Sequence, residues 1–258
     1  MRITSFQNPK VKQIKKLRER RERQQTQRFV IDDERDLIRA LDAGYSVDYA
    51  FYCPALGAQI STLERLPLIY EVSQEIMEKV SYRQNPSGLV AVMIQKPIRQ
   101  LKDAPLSRFI LGLVNLKKPG NIGALLRTAD ATGFQTILLI DTSLDIYNPN
   151  VIRSSTGACF LDNIYEVTSE QAVAYLRAND YSIVAAVVDG DKTLFQADFS
   201  GRTAVILGTE DQGLDTYWVN HADQRVRIPM IGKIADSLNV SVSGAIFMVE
   251  ALRAYSDT

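Results

Sequence analysis

The stretch SLNVSVSGAIFMVEALR, from Ser237 to Arg253, combines a helical pattern with a polar start. Its apolar residues recur at the spacing of a buried helix. Three hydrogen-bonding side chains, Ser237, Asn239 and Ser241, stand where that helix begins. One such side chain is enough to cap the free amides of a first turn. The presence of three raises the question of a second role beside capping.

Outward from this helix, short apolar segments alternate with helical patterns along the chain of 258 residues. Because short buried strands between helices are typical of parallel sheets covered on both faces, the alternation predicts an α/β protein. The predicted strands are RFVID (28–32), VDYAFYC (47–53), LIYEV (68–72), GLVAVMI (88–94), FILGLV (109–114), TILLI (136–140), SIVAAVV (182–188), TAVILG (203–208) and RVRIP (225–229). The predicted helices include NPKVKQIKKLRERRER (8–23), ERDLIRALDAG (34–44), a short one from Ser73, and IGALLRTADATG (122–133).

The polar segment QKPIRQLKDAPLSR (95–108) contains two prolines and predicts a linker. The chain is also long enough for two domains of ordinary size. We therefore predict a first domain at 1–96, a linker at 97–106 and a second domain at 107–258.

Charge is balanced over the whole chain, with 30 basic and 30 acidic side chains, but it is uneven along it. Residues 1–28 carry ten basic side chains against Glu19 and Glu22, an excess of +8. Such a local excess predicts a surface that faces a polyanion. The alternative is a solvated helical face, which is the commoner role of a charge run.

Cysteine, histidine and hydropathy exclude several classes. Cys53 and Cys159 cannot build a disulfide framework, and with the single His221 they give no sign of a zinc cluster, so we expect no metal. Both cysteines are expected to be buried. No cleavable signal opens the sequence, and no apolar run approaches the roughly 18 residues of a membrane helix. We therefore expect a soluble, cytoplasmic protein.

Three polar stretches with glycines follow predicted strands of the second half, where open α/β sheets usually place ligands. The first is NLKKPGNIGALLRTADATGF (115–134), in which Pro119 and Gly120 are expected to turn the chain and Asn121 to cap the next helix. Arg127 falls two turns into that helix. A capped helix with a surface arginine would show the same pattern, and the spacing does not match a dinucleotide-binding fingerprint.

The other two stretches are LGTEDQGL (207–214) and IPMIGKIADSLNVSVSGA (228–245). In the former, a strand leads to Gly208, Glu210 and Gly213, and glycine allows a backbone to approach a ligand closely. A tight turn between strand and helix would use the same residues. In the latter, Pro229 ends a strand and Gly232 permits an irregular loop before the helix of the opening stretch. Each stretch alone is weak evidence for a ligand site, whereas the three together form a specific pattern.

At these residues the chain closely resembles the SpoU-type, or TrmH-type, RNA ribose methyltransferases of the SPOUT superfamily. The family patterns occur in the family's order: Asn-x-Gly-x-x-x-Arg at Asn121, Gly123 and Arg127; Gly-x-Glu-x-x-Gly at Gly208, Glu210 and Gly213; Ile-Pro-Met at 228–230; and Ser-Leu-Asn-Val-Ser at 237–241. The likeness runs from Asn115 to the C-terminus. It extends more loosely to the first half, where ITSFQNPKVKQIKKL (3–17) and RFVIDDERDLIRAL (28–41) resemble a small ribosomal-protein-like RNA-binding domain. Asp32 and Asp33 depart from the glycine usual there.

The resemblance implies a trefoil-knotted, parallel-sheet methyltransferase domain preceded by that small α/β domain. It also implies S-adenosylmethionine as cofactor and a homodimer through the C-terminal domain. The small residues Ser243, Gly244 and Ala245 beside Phe247 and Met248 suit close helix contact, although packing within one chain would use them equally. The cofactor-binding residues implied are Leu207, Gly208, Glu210, Gly213, Ile228, Pro229, Met230, Leu238, Asn239 and Ser241.

The implied reaction is methyl transfer to a ribose 2′-hydroxyl of RNA, with ribosomal RNA as first choice of substrate. Arg127 occupies the central catalytic position, and because a guanidinium stays protonated we expect it to orient and polarise the hydroxyl together with an RNA phosphate. The other catalytic residues implied are Asn121, Glu210, Ser237 and Asn239. Substrate RNA is expected to contact Arg153, which in the family often acts from the partner subunit, and the cations Lys15, Lys16, Arg20 and Arg21.

Three alternatives remain open from the sequence. The same fold could methylate transfer RNA, or a base instead of a ribose, or it could bind RNA without catalysis. Retention of the catalytic set argues against a silent binder, because binding alone requires none of those residues.

Overall fold

The computed structural model describes residues 1–56, 62–97, 99–142 and 144–256. Its contacts divide the chain into two units. Unit 1 is Met1–Pro97 with Asp145–Leu161, and unit 2 is Ile98–Leu144 with Asp162–Thr258. The first division falls inside the predicted linker, of which residue 98 lies outside the described residues. Segment 145–161, which lies within the predicted second domain, packs with unit 1.

The described residues form helices and strands in alternation. The strands are β1 (Arg2–Ile3), β2 (Arg28–Ile31), β3 (Val47–Tyr52), β4 (Ile69–Val72), β5 (Leu89–Ile94), β6 (Phe109–Val114), β7 (Thr136–Ile140), β8 (Ile164–Val167), β9 (Ser182–Ala186), β10 (Lys192–Thr193), β11 (Thr203–Leu207) and β12 (Gln224–Arg227). The α-helices are α1 (Pro9–Lys16), α2 (Arg20–Thr26), α3 (Glu34–Asp42), α4 (Gln74–Val80), α5 (Pro119–Thr132), α6 (Pro149–Ser155), α7 (Ser169–Ala178), α8 (Thr216–His221) and α9 (Val240–Ser256).

Unit 1 is built on a mixed sheet of five strands in the order β1-β4-β3-β5-β2. Strands β1, β4 and β3 pair in parallel, whereas β5 pairs antiparallel with both β3 and β2. Its core is formed by side chains from the sheet and from α1 and α4, such as Val11, Ile14, Phe51 and Ile76. This sheet carries the small α/β domain that the first half of the sequence predicts.

The basic segment 8–23 forms two helices instead of the single one predicted. Helix α1 ends at Lys16 and α2 starts at Arg20. The break follows from the buried Arg23, whose guanidinium donates to the carbonyl oxygens of Leu17 at 2.9 Å and Arg18 at 2.7 Å. Carbonyls that accept from this side chain lie between the two helices, so the guanidinium fixes the bend.

Unit 2 is built on seven parallel strands in the order β10-β12-β9-β11-β6-β7-β8. The parallel α/β sheet expected from the sequence is therefore confirmed here. The sequence missed β8 and β10, which are the two edge strands of this sheet. Edge strands are short and less buried, so they lack the continuous apolar run by which the inner strands are recognised.

Helices α5 and α9 pack against each other over the central strands of unit 2. They meet at Gly244, where an added Cβ would overlap the Leu125 side chain and lie 2.7 Å from Cδ1 of Leu207. Phe247 and Met248 of the same helix are buried within the chain. Gly244, Phe247 and Met248, which the sequence suggested for a dimer contact, therefore pack inside one chain.

Among the described residues, no helix combines the length and the apolar character that a membrane span requires.

Candidate functional site

The three polar stretches of the second half meet at one edge of the unit 2 sheet. Helix α5 follows β6, the glycine loop at 208–213 follows β11, and the segment that leads to α9 follows β12. Since these strands run parallel, their carboxyl ends lie at the same edge. This edge is where open α/β sheets bind ligands.

Hydrogen bonds join all three stretches through their side chains. The amide nitrogen of Asn121 donates to the carboxylate of Glu210. The amide oxygen of Asn121 accepts from Nδ2 of Asn239 at 3.3 Å. Glu210 retains 14% of its side-chain exposure, and Nζ of Lys118 lies 3.9 Å from its carboxylate. A single Asn side chain therefore links one residue from each of the other two stretches.

Asn121 does not cap helix α5, contrary to the sequence expectation. The helix begins at Pro119 with Lys118 before it, so both Pro119 and Gly120 lie within the first turn and do not turn the chain ahead of it. Asn121 is the third helical residue, and its backbone amide bonds to the Lys118 carbonyl at 3.2 Å. Its side chain is left for Glu210 and Asn239, which indicates a role in the site instead of in helix initiation.

Asn239 caps helix α9, as the simplest interpretation of the opening stretch predicts. Its Oδ1 accepts from the backbone amide of Ser241 at 2.9 Å and from the Ser241 hydroxyl at 2.7 Å. Because Nδ2 of the same side chain bonds to Asn121, one residue both caps the helix and joins the network. Ser237 is exposed and forms no side-chain hydrogen bond with the described residues.

The glycine loop after β11 is closed on itself. The backbone amides of Thr209 and Gly213 each donate to the other residue's carbonyl at 3.0 Å. Gly213 adopts φ +68°, in the left-handed region that favours glycine. A Cβ on Gly208 would overlap the backbone of Gly213 and Leu214, so only glycine allows this approach.

The loop between β12 and α9 has backbone amides and carbonyls without a backbone hydrogen-bond partner among the described residues. Among the described residues, positions 228–238 form no backbone hydrogen bond with the rest of the backbone. Met230 is 39% exposed, and Ile228 and Leu238 are half-buried. The loop thus offers amide donors, carbonyl acceptors and apolar side chains beside the Asn121 network. Such a combination suits a small ligand with a polar and an apolar part.

Arg127 is exposed on α5 and has no hydrogen-bond or ion-pair partner among the described residues. It lies six residues after Asn121, which corresponds to about 9 Å along a helix. The network therefore does not hold its guanidinium, which is available to an anionic ligand.

The predicted RNA contacts lie on unit 1. Lys15 and Lys16 end α1, Arg20 and Arg21 begin α2, and all four are exposed. Arg153 is exposed on α6, which packs with unit 1 through residues 145–161.

Several of the ten basic side chains of residues 1–28 are already engaged. Arg23 is buried, with Nε 2.6 Å from Oδ2 of Asp145. Arg28 pairs with Asp48 at 2.6 Å, and Nζ of Lys10 lies 3.9 Å from the centroid of the Tyr49 ring. Six cations are exposed and have no acidic partner among the described residues: Lys12, Lys15, Lys16, Arg18, Arg20 and Arg21, of which Arg18 donates to the backbone carbonyls of Lys79 and Ser81. The surface available to a polyanion is thus smaller than the sequence excess suggests.

Both cysteines are buried and free, as the sequence predicts. Burial raises the pKa of the Cys159 thiol to about 12, so it remains protonated and unreactive at neutral pH. No group of His, Cys, Asp and Glu side chains within the described residues is arranged to hold a metal ion.

Lys118 is a residue of the candidate site that was not predicted from the sequence. Its position directly before Pro119 was the available signal, because a proline often occupies the first position of a helix. The contact with Glu210, 92 residues later, could not be read from that local pattern.

The fold and the hydrogen-bonded stretches define an α/β protein with a candidate ligand site at the carboxyl ends of its parallel strands. Comparison with known families then places it: the chain belongs to the SpoU rRNA Methylase family, whose profile matches residues 108–249. A second profile, the MRM3-like substrate binding domain, matches residues 8–91.

Relatives and solved structures cover nearly the whole chain. The chain is 28% identical to the 23S rRNA (guanosine(2553)-2'-O)-methyltransferase RlmP of Bacillus subtilis, over 96% of this chain and 97% of that protein. A crystal structure of an RNA 2'-O ribose methyltransferase is 36% identical, with a TM-score of 0.83, and covers 98% of this chain and 99% of its own. The AdoMet-bound rRNA methyltransferase from Sinorhizobium meliloti is 29% identical, with a TM-score of 0.86 and coverage of 98% and 97%.

Proposed function

We propose that this protein transfers a methyl group from S-adenosylmethionine to a ribose 2′-hydroxyl of ribosomal RNA. Membership of the SpoU family and the relatives' named activities support the reaction, the cofactor and the substrate class. The observation that carries the proposal is the hydrogen-bonded set Asn121, Glu210 and Asn239, which assembles the three family stretches at one edge of the sheet.

The residues at this edge fit S-adenosylmethionine. Its adenine and ribose need apolar contacts and backbone hydrogen bonds, which Leu238 and the loop 228–230 offer, whereas the side chain of Leu207 is buried inside unit 2. Its sulfonium and carboxylate nearly cancel, which suits a hydrogen-bonded network in which the carboxylate of Glu210 is matched by Lys118 and Asn121. When bound, the cofactor supplies an electrophilic methyl group. Gly208, Gly213, Pro229 and Ser241 shape the surrounding loops in this proposal.

Arg127 is the residue we assign to the reacting hydroxyl. A ribose hydroxyl is a poor nucleophile until its proton is shared, and the reaction requires it in line with the methyl donor. A guanidinium stays protonated at neutral pH and cannot accept that proton. Arg127 therefore orients the hydroxyl and an adjacent phosphate by donating hydrogen bonds. Its lack of an internal partner supports this role.

Unit 1 is proposed to select the RNA and unit 2 to modify it. Exposed cations contact phosphates and position an RNA without distinguishing its sequence. The set consists of Lys15, Lys16, Arg20, Arg21 and, on the segment that packs with unit 1, Arg153. The division into a substrate domain at 1–96 and a methyltransferase domain at 107–258 remains part of this proposal.

A homodimer through unit 2 is also proposed, together with a trefoil knot in that unit and a cytoplasmic location. Exposed apolar side chains in one part of unit 2 support the dimer. Val242 and Val249 of α9 are 47% and 56% exposed, and the preceding loop exposes Ile231 by 99% and Ile234 by 95%. An apolar surface of this kind is typical of a protein interface. Light scattering at micromolar concentration tests it, because a monomeric mass would contradict the dimer.

The test of the activity is transfer of labelled methyl to ribosomal RNA from a strain that lacks the gene, followed by mass analysis of the product nucleosides. We expect a 2′-O-methylated ribose in wild-type reactions and no product with Arg127→Ala, which should still bind the cofactor. Arg202→Ala is the matched control, since Arg202 lies at the amino end of β11, whereas the candidate site lies at the carboxyl ends of the strands. A methylated base in the product would show that the enzyme modifies a base and not a ribose. If only transfer RNA accepts the label, transfer RNA and not ribosomal RNA is the substrate.

If no RNA accepts label although the cofactor and RNA both bind, the protein is a silent RNA binder. If Arg127→Ala retains full activity, the assignment of the catalytic centre is wrong.

A further inference from the structure

One exposed aromatic residue stands out among the described residues of unit 1. Phe6 lies in the turn between β1 and α1 and is 43% exposed. The other phenylalanines of this unit, Phe29, Phe51 and Phe160, are fully buried. A single exposed apolar residue needs no functional explanation by itself. Its backbone and its neighbours supply one here.

The backbone of Phe6 is fixed on both sides. The amide of Asn8 donates to the carbonyl of Ser5 at 3.1 Å, and the amide of Gln7 donates to the Ser5 hydroxyl at 3.1 Å. Before the turn, β1 pairs with β4. After it, Oδ1 of Asn8 caps α1 by accepting from Lys10 at 2.9 Å. The ring is therefore presented by a pre-ordered turn, so binding through it would require little further loss of backbone entropy.

Cations accompany this ring. Nζ of Lys79, on α4, lies 5.1 Å from the centroid of the Phe6 ring. Arg18 donates to the carbonyl of Lys79 at 3.2 Å, and its guanidinium lies 5.0 Å from the centroid of the Tyr82 ring. Two aromatic residues, Phe6 and Tyr82, thus flank two cationic ones, Lys79 and Arg18, in a connected row that we term the Phe6 row.

The nearby carboxylates do not neutralise Lys79. Glu75 lies one helical turn before it and Glu78 directly before it, yet neither forms an ion pair with Lys79 among the described residues. Glu78 accepts instead from Nε2 of Gln74 at 2.8 Å. The ammonium of Lys79 remains exposed and can meet a phosphate beside the ring.

We propose that Phe6 is a stacking platform for an unpaired RNA base, with Lys79 holding the adjacent phosphate. Unpaired bases are recognised by stacking on aromatic side chains, whereas duplex RNA is contacted mainly through phosphates and riboses. The Phe6 row supplies both kinds of group at one place. It would direct the enzyme to a single-stranded loop or bulge, which the exposed cations of α1 and α2 cannot do alone. This inference rests on the proposed RNA substrate.

The test measures binding of the full chain, without cofactor, to a short oligouridine and to an RNA duplex of equal length. Oligouridine is chosen because its bases stack weakly on each other and are available to the protein. We expect Phe6→Ala to bind oligouridine about 5- to 150-fold more weakly, since one base stacked on an aromatic contributes about 1–3 kcal/mol. Duplex affinity and the salt dependence should stay as in the wild type.

Matched variants separate stacking from other effects. Phe6→Trp should retain the oligouridine affinity, and Phe6→Leu should lose it, because leucine is apolar but has no aromatic face. Phe195→Ala removes a ring of unit 2 that is 75% exposed and should change nothing. Lys79→Gln should lower the slope of log affinity against log salt by about 0.7, the value for one phosphate on a single strand. Thermal unfolding confirms that each variant is folded.

The inference is overturned if folded Phe6→Ala binds oligouridine as tightly as the wild type, or loses duplex and single-strand affinity equally. Methyl transfer by the wild type is measured separately. A wild type that methylates RNA while Phe6→Ala binds normally contradicts only this inference. A wild type that transfers no methyl while the Phe6 variants behave as expected contradicts only the proposed reaction.

Discussion

Replacing Gly208 by alanine should open the loop that we assign to the cofactor. The new Cβ would overlap the carbonyl group of Gly213 and the amide nitrogen of Leu214. These are backbone atoms, so no side-chain rotation can relieve the overlap. The loop must move apart and break the paired bonds between Thr209 and Gly213, both of 3.0 Å.

The magnitude follows from those two hydrogen bonds. Each contributes about 0.5–1.5 kcal/mol net, so their loss should destabilise the protein by about 1–3 kcal/mol. Displacement of the loop should also weaken S-adenosylmethionine binding at least about tenfold, which corresponds to about 1.4 kcal/mol. Denaturant unfolding measures the first effect, and calorimetric titration with S-adenosylmethionine measures the second.

Gly120→Ala is the matched control for this change. Gly120 lies in the first turn of α5 and has nothing within 4 Å of an added Cβ. The alanine should therefore leave cofactor binding unchanged and stabilise the helix by up to about 1 kcal/mol. If Gly208→Ala is as stable as the wild type and binds S-adenosylmethionine as tightly, the closed loop is not part of the cofactor site.

Three further outcomes are expected. Asp145→Ala should destabilise the protein by about 3–5 kcal/mol, because it leaves the buried guanidinium of Arg23 without its carboxylate. Replacing both residues with apolar ones should destabilise the protein less. Burial, and next the charge of Asp33, raise the pKa of Asp36 from 3.8 to about 6, so between these two pH values folding favours the protonated carboxyl. The wild type should consequently lose stability relative to Asp36→Asn as the pH rises from 4 to 6, by up to about 3 kcal/mol, and a pH-independent difference in denaturation midpoints would contradict this. Alanine at four exposed cations together should weaken RNA binding and flatten its salt slope by up to about 3, and an unchanged slope would exclude their phosphate contacts; the four are Lys15, Lys16, Arg20 and Arg21.

The inner strands of unit 2, and the three stretches that meet at its candidate site, could be predicted from the sequence. FILGLV and TILLI match β6 and β7 residue for residue, because strands buried on both faces are continuously apolar and that signal is local. The edge strands β8 and β10 carry no such signal and were missed. The three polar stretches indicated the site because each lies directly after a strand or before a helix.

The partners of those residues were decided only by the tertiary structure. Local pattern suggested that Asn121 caps a helix, whereas its side chain bonds to Glu210, 89 residues away. In the sequence, Arg23 counts toward the basic surface. In the structure it is buried and pairs with Asp145, 122 residues away. Periodicity records which face of a segment is buried, but it does not record which distant segment covers that face. The sequence by itself therefore determined the strand pattern, the family and the candidate residues, while the fold decided which side chains remain available to cofactor and RNA.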